Sequence, residues 1–202
     1  MKISKYLSEV SSKNNIDPSN LQFPECDIDP DKVKVIMISE VPSPDPCDGF
    51  YGSADSGYMT SVRSLFDGAG MTVSSMDELL DMGIYITTAV KSSKVVSTIP
   101  PETIKSQLPI LEAEIALFKN ARAIMLMGDV AIKAVNAIVK AQTKKNVIPS
   151  GSTYKIRGGE YFYGDIRVFP SYIMTGKNLL IEKGKCDTIS DDIRRMREFT
   201  GL

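Results

Sequence analysis

Val33-Lys34-Val35-Ile36-Met37-Ile38, running into Ser39-Glu40-Val41-Pro42, is the stretch on which the fold turns. From Val33 to Ile38 it is β-branched and almost continuously apolar. A strand with one solvated face alternates, so this pattern marks a strand covered on both faces, and a parallel sheet is its natural setting. Parallel strands need crossover connections, and helices are the usual ones. The sequence should therefore alternate.

It does. After a Gly/Pro/Asp/Ser-rich loop from Ser39 to Gly57, a helical period is carried by Met59, Val62, Leu65, Phe66 and Ala69, with Gly70 as its stop. Ile84 to Thr87 reads as a second strand, and Pro101 to Phe118 as a helix with apolar Ile104, Leu108, Leu111, Ile115 and Leu117. Ala123 to Met127 is a third strand ended by Gly128, after which Asp129 is placed to cap an Ala-rich helix through Val139. Tyr154 to Tyr163, centred on Gly158-Gly159, reads as a hairpin. Ile166 to Phe169 is the fourth strand, stopped by Pro170, and Asp187 to Phe199 a closing helix. With right-handed crossovers this predicts an α/β fold, a three-layer α/β/α sandwich around a mainly parallel four-stranded sheet. Residues 1–32, with a short amphipathic segment from Ile3 to Val10 and a polar loop, read as an N-terminal appendage on a domain spanning 33–202.

Composition narrows the chemistry. The 202 residues contain no histidine, so imidazole acid/base catalysis, catalytic triads built on histidine and imidazole metal ligands are excluded. The three cysteines, Cys26, Cys47 and Cys186, are widely spaced, which fits reduced thiols better than a disulfide framework or a metal site. No metal, cluster or other cofactor is expected. Twenty-four Lys and Arg stand against 25 Asp and Glu, a net charge of −1 that argues against indiscriminate coating of nucleic acid. The polar start and the shortness of every apolar run point to a cytoplasmic protein that does not engage a membrane.

Ligands of open α/β sheets bind beyond the carboxyl ends of the strands. Here those ends are Ser39 to Pro42, Thr87-Thr88, Gly128-Asp129 and Pro170-Ser171. The first loop carries one carboxylate, Glu40, then Pro42, Pro44 and Pro46, then Gly49-Phe50-Tyr51-Gly52. Proline rigidity and two aromatics between glycines suit a fixed wall that stacks a flat ligand. The fourth loop, Phe169 to Asn178, mixes apolar residues with hydroxyls, amides and the Lys177 ammonium, which suits an apolar wedge beside a phosphate clamp.

In this order the pieces resemble the uracil-DNA glycosylase superfamily, and most closely its families whose first motif is Gly-Glu-Ala-Pro-Gly. Ser39-Glu40-Val41-Pro42-Ser43 stands at that motif, Gly49-Phe50-Tyr51-Gly52 at Pro-Phe-Val-Gly, and Ile86-Thr87-Thr88-Ala89-Val90-Lys91 at Ile-Thr-Asn-Val-Val-Lys. Met125-Leu126-Met127-Gly128 with Ala131, then Arg157-Gly158, then Phe169-Pro170-Ser171 at His-Pro-Ser complete the set. The resemblance spans roughly Val33 to Leu180 and implies DNA or a nucleobase-containing ligand as partner. A base would be flipped out, stacked, read along its edge and released as an anion while water attacks the sugar. It implies Glu40 as the water-positioning carboxylate, and Phe50, Tyr51, Thr88 and Phe169 around the base. Lys91, Ser171, Tyr172 and Lys177 would lie along the phosphates and the gap left by the base.

The departures are chemical. Phe169 stands where a histidine would stabilise the leaving base, and its ring donates no hydrogen bond; one such donor is typically worth about 3 to 4 kcal/mol of barrier. Thr88 offers one hydroxyl where an asparagine offers donor and acceptor. Ser39 and Ser43 replace both motif glycines, and Ser92 stands where cluster-bearing relatives place a cysteine. Read locally, Glu40 is also suited to capping a loop, Phe50 and Tyr51 to anchoring one, Phe169 to the core and Thr88 to ending a strand. Three functions therefore stand side by side: hydrolysis of the N-glycosidic bond of a damaged or deaminated base, non-catalytic binding of nucleic acid or nucleobase, and a small-molecule pocket unrelated to DNA.

Overall fold

The computed structural model describes residues 1–93, 98–175, 179 and 182–202. Among these residues five strands form one sheet in the order β2-β1-β3-β5-β4. These are β1 (Val35–Ser39), β2 (Ile84–Thr88), β3 (Ala123–Met127), β4 (Tyr161–Tyr163) and β5 (Ile166–Ser171). β1 pairs in parallel with β2 and β3, and β3 in parallel with β5; only β4 is antiparallel. All five residues of β1, β2 and β3 are buried, as the continuous apolar runs require.

Strand alternation sorts the core into two layers. Ile36 and Ile38 of β1, Tyr85 of β2, Ile124 and Leu126 of β3 and Val168 of β5 face one side. They meet α1 (Ile3–Lys13), α4 (Pro101–Leu117) and α5 (Asp129–Thr143). Val35, Met37, Ile84, Ile86, Met125 and Phe169 face the other, against α2 (Gly57–Gly68), α3 (Met76–Asp81) and α7 (Lys183–Thr200). The result is the three-layer sandwich. Ile3 and Leu7 of α1 are fully buried in the first layer together with Ile36. Among the described residues no helix is long and apolar enough to cross a membrane.

The structure corrects the sequence reading at four places. The sheet has five strands rather than four, because the hairpin lies further along: Thr153–Ile156 is a short helix, α6, and β4 turns into β5 through Gly164-Asp165. Gly164 supplies the positive φ, 59°, that a two-residue turn asks for at its first position. Pro170 lies within β5 and does not stop it. Ser171 accepts a hydrogen bond from the Gly128 N–H on the β3 side, so Pro170 turns its backbone nitrogen the other way. β4 pairs no further along β5 than Val168, which makes β5 locally an edge where proline costs no ladder bond. Asp129 is the first helical residue of α5 and not its cap; Gly128 holds that position at φ 107° with no side chain of its own. The sequence reading also passes over α3.

Candidate functional site at the strand ends

Beyond the carboxyl ends of β1 and β2 lies a cleft of about 120 Å³. Its walls include Pro42, Ser43 and Pro46 of the first loop, Phe50 and Tyr51, Tyr58 of α2, and Thr87 and Thr88 at the end of β2. An apolar cavity of about 150 Å³ is known to admit benzene, so this volume, open on one side, suits a single six-membered ring.

Strand parity explains the wall. Thr87 points toward α4 and Thr88 the other way, toward the loop bearing Phe50. The Phe50 ring meets Tyr58 edge to face with centroids 4.8 Å apart, and only 6% of the residue is exposed, so its ring orientation is fixed before any ligand arrives. The Tyr51 hydroxyl donates to the Ile86 carbonyl at 2.8 Å. Burial pushes the Tyr51 phenol well above its ordinary pKa, so it stays protonated on that carbonyl. Among the described residues the Thr88 hydroxyl has no partner within the chain. Its carbonyl accepts from the Lys91 ammonium at 2.7 Å.

Gln22, Phe23, Pro24 and Glu25 close the cleft from the N-terminal segment, in which the sequence alone marks no site residue. The Gln22 backbone N–H donates to the Lys91 carbonyl at 2.7 Å, and its amide donates to the Ser43 carbonyl at 3.1 Å. Tyr58 is likewise not singled out by any motif. Its place in the period of α2 could have shown an aromatic at the mouth, whereas Gln22 follows no period and carries no such signal.

Glu40 stands next to the cleft but does not line it. It follows Ser39, which pairs with Thr88 across the sheet, and continues the parity that points toward α5. Its Oε1 accepts from the Val130 N–H at 3.1 Å, at the start of α5. A Cβ at Gly128 would come within 2.5 Å of that same oxygen. Glycine there lets a carboxylate from another loop cap the helix. Among the described residues the other carboxylate oxygen has no hydrogen-bond partner. The Ser39 hydroxyl is buried without a partner among the described residues.

Four expected contacts are placed elsewhere. Phe169 pairs with Met125, two rungs inside the end of β5. Its ring packs edge to face on Phe199 at 6.0 Å, with the Arg167 guanidinium 4.8 Å from its centre. It belongs to the core beneath α7 and not to the cleft, because parity at that register turns it inward. Lys91 is fully buried. Its ammonium reaches Glu114 Oε2 at 2.5 Å and Thr87 Oγ1 at 2.7 Å, which leaves it unable to meet a phosphate in solvent. Burial pulls the Lys91 pKa below its ordinary value, opposed by the Glu114 charge. The Ser171 hydroxyl is likewise buried and donates to Asp192 Oδ2 at 2.7 Å, and Asp192 is held in turn by Arg157. Burial raises the Asp192 pKa against those bonds. Tyr172, half-buried, follows β5 and packs on the layer under α7, with the Lys185 ammonium 5.9 Å from its ring centre; it does not line the cleft. Lys177 lies outside the described residues.

Phe50, Tyr51 and Thr88 thus share one cleft, Glu40 adjoins it and Phe169 does not. Among the described residues no Lys or Arg lines it, and Glu25 does. The chain matches the Uracil DNA glycosylase superfamily over residues 27–181. It belongs to that superfamily. A solved structure described as the wild-type UNG of Nitratifractor salsuginis is similar over 93% of this chain and 84% of its own, at 11% identity and a TM-score of 0.45. No curated protein matches the chain.

Proposed function

We propose that this protein takes one unpaired base of DNA into the cleft and hydrolyses its N-glycosidic bond, with Glu40 aligning the water. The observation that carries the reading is the shared cleft: Phe50 offers a fixed aromatic edge, Tyr51 a wall, and Thr88 and Gln22 polar groups, in a volume fit for one ring. Water would add to C1′ through its oxygen as the C1′–N bond breaks, giving up one proton to solvent. The base would leave with the bonding pair and take a proton from solvent, leaving an abasic site.

One observation favours a second reading, recognition without turnover. Among the described residues no cationic side chain lines the cleft, and Phe169 is turned into the core, so no charged donor there faces the negative charge of a departing base.

A single experiment separates the two. Single-stranded and mismatched oligonucleotides carrying uracil, hypoxanthine, xanthine or thymine are incubated with the protein, and abasic sites are revealed by alkaline cleavage. Release that disappears in Glu40→Gln supports hydrolysis. Base-dependent binding without release supports recognition alone. Neither release nor base-dependent binding overturns both.

A further inference from the structure

The cations absent from the described wall of the cleft are gathered elsewhere. Residues 130–159 contain Lys133, Lys140, Lys144, Lys145, Lys155 and Arg157 and not one Asp or Glu, in a chain whose net charge is −1. A groove of about 430 Å³ runs through this region. Asp129 stands at one end of it, beside the carboxyl end of β3. Lys133, Asn136 and Lys140 of α5 form one bank, and Asn146, Pro149, Ser150 and Gly151 form the other. From Asp129 to Lys140 the helix rises about 16 Å, several phosphate spacings of a polynucleotide strand.

The groove is built into the fold. Asn136 donates to the Ile148 carbonyl and accepts from the Ile148 N–H, both at 2.9 Å, so the far bank is pinned to the helix. Ile148 is fully buried and anchors the same loop. Lys133, Lys140 and Lys155 are exposed and form no ion pair among the described residues. Arg157 is different, being bound to Asp191 and Asp192. Beside Lys155 the Tyr154 ring is 79% exposed, the most exposed large apolar side chain of the described residues. Lys133 and Lys140 line the groove, and Tyr154 and Lys155 belong to the short helix α6 whose Ile156 lines it. Cations on a channel and an unpacked aromatic on a neighbouring element are the recurring parts of a surface that tracks a single strand: the cations follow phosphates and the ring takes a base.

We propose that this groove binds single-stranded nucleic acid, with Lys133, Lys140 and Lys155 along the phosphates and Tyr154 as a stacking platform. The inference shares its partner class with the proposed function but rests on different residues, on the opposite layer of the sandwich from Phe50. Asp129 at the cleft end would favour strand entry from the side of the lysines.

The test is equilibrium binding of a fluorescent oligothymidylate to the full chain across a salt series. Each phosphate contact on a single strand adds about 0.7 to the slope of log K against log salt. Lys133→Gln/Lys140→Gln/Lys155→Gln together should lower that slope by about 2. Tyr154→Ala should weaken binding on the order of tenfold and leave the slope unchanged. All four residues are exposed, so thermal melting should stay at the wild-type value and shows that a lost affinity is not lost folding. Wild-type slope and affinity in both variants overturn the proposal. So does binding of heparin that equals oligothymidylate and is indifferent to Tyr154→Ala, because the patch then attracts any polyanion. Phe50→Ala separates the two readings: loss of base-dependent recognition with an unchanged affinity for an abasic oligonucleotide places strand binding in the groove. Base release that persists in the triple lysine variant with wild-type affinity overturns the groove alone.

Discussion

Lys91 Nζ lies 2.5 Å from Glu114 Oε2, and both side chains are fully buried beneath the carboxyl end of β2. Glu114 Oε1 accepts from the Tyr85 hydroxyl at 2.6 Å and the Thr87 hydroxyl at 2.7 Å. The Lys91 ammonium also bonds the Thr88 carbonyl, so the pair holds the backbone from which Thr88 enters the cleft. A buried pair of this kind costs desolvation, and breaking it strands a charge. Lys91→Met should lose about 3 to 5 kcal/mol in urea unfolding. Lys91→Met/Glu114→Gln should be more stable than the single variant, since glutamine still accepts from both hydroxyls and leaves no lone charge. A double variant weaker than Lys91→Met would show that the pair is not the reason.

Glu40 is asked to do two things, and two substitutions part them. Alanine removes the acceptor of the Val130 N–H and should cost about 1 kcal/mol, as the loss of a helix cap does. Glutamine keeps an oxygen for that N–H, so its stability should stay within about 0.5 kcal/mol of wild type. Base release should vanish in both. If glutamine retains full release, Glu40 is a cap and no more.

Much of the fold was readable because its determinants are local and periodic. The continuous burial of Val35 to Ile38 declares a parallel sheet, and the spacing of Met59, Val62, Leu65 and Phe66 declares α2. The missed helix α3 carried a signal too: Ser75 caps the Glu78 N–H while Glu78 reaches back to the Ser74 N–H, a capping box over a short apolar run. The strand through Pro170 was not readable, since only the register shows that β4 ends before it. The same holds at the site. Phe50, Tyr51 and Thr88 announce themselves by composition at strand ends, whereas the inward turn of Phe169 and the burial of Lys91 depend on parity and on Glu114, far along the chain from the first motif. Gln22 reaches the cleft through tertiary packing alone.

Thr88 presents the hydroxyl that Thr87, tied to Glu114, cannot. Thr88→Val keeps the shape and suits a strand, so unfolding should be unchanged within about 0.5 kcal/mol. Affinity for a free pyrimidine base, measured by calorimetry, should fall about three- to tenfold, the worth of one net hydrogen bond. Thr88→Ser should restore it. Unchanged affinity in valine would remove the hydroxyl from base reading.

The three thiols should separate by burial. Cys47 is exposed and should react first with a disulfide reagent at pH 8, whereas Cys26, buried against Tyr51, should wait for unfolding. Burial pushes the Cys26 thiol from its ordinary 9.0 up to about 12. Between those values the unfolded chain releases a proton that the folded chain keeps, so stability falls as pH rises through the window and is fully present below it. Tyr51 and Tyr85, also raised by burial, add their own loss above pH 10. The comparison therefore belongs between pH 8 and 10, where the urea midpoint of wild type should decline more steeply than that of Cys26→Ala. Parallel midpoints would show that Cys26 ionises as readily folded as unfolded and that burial does not hold its proton.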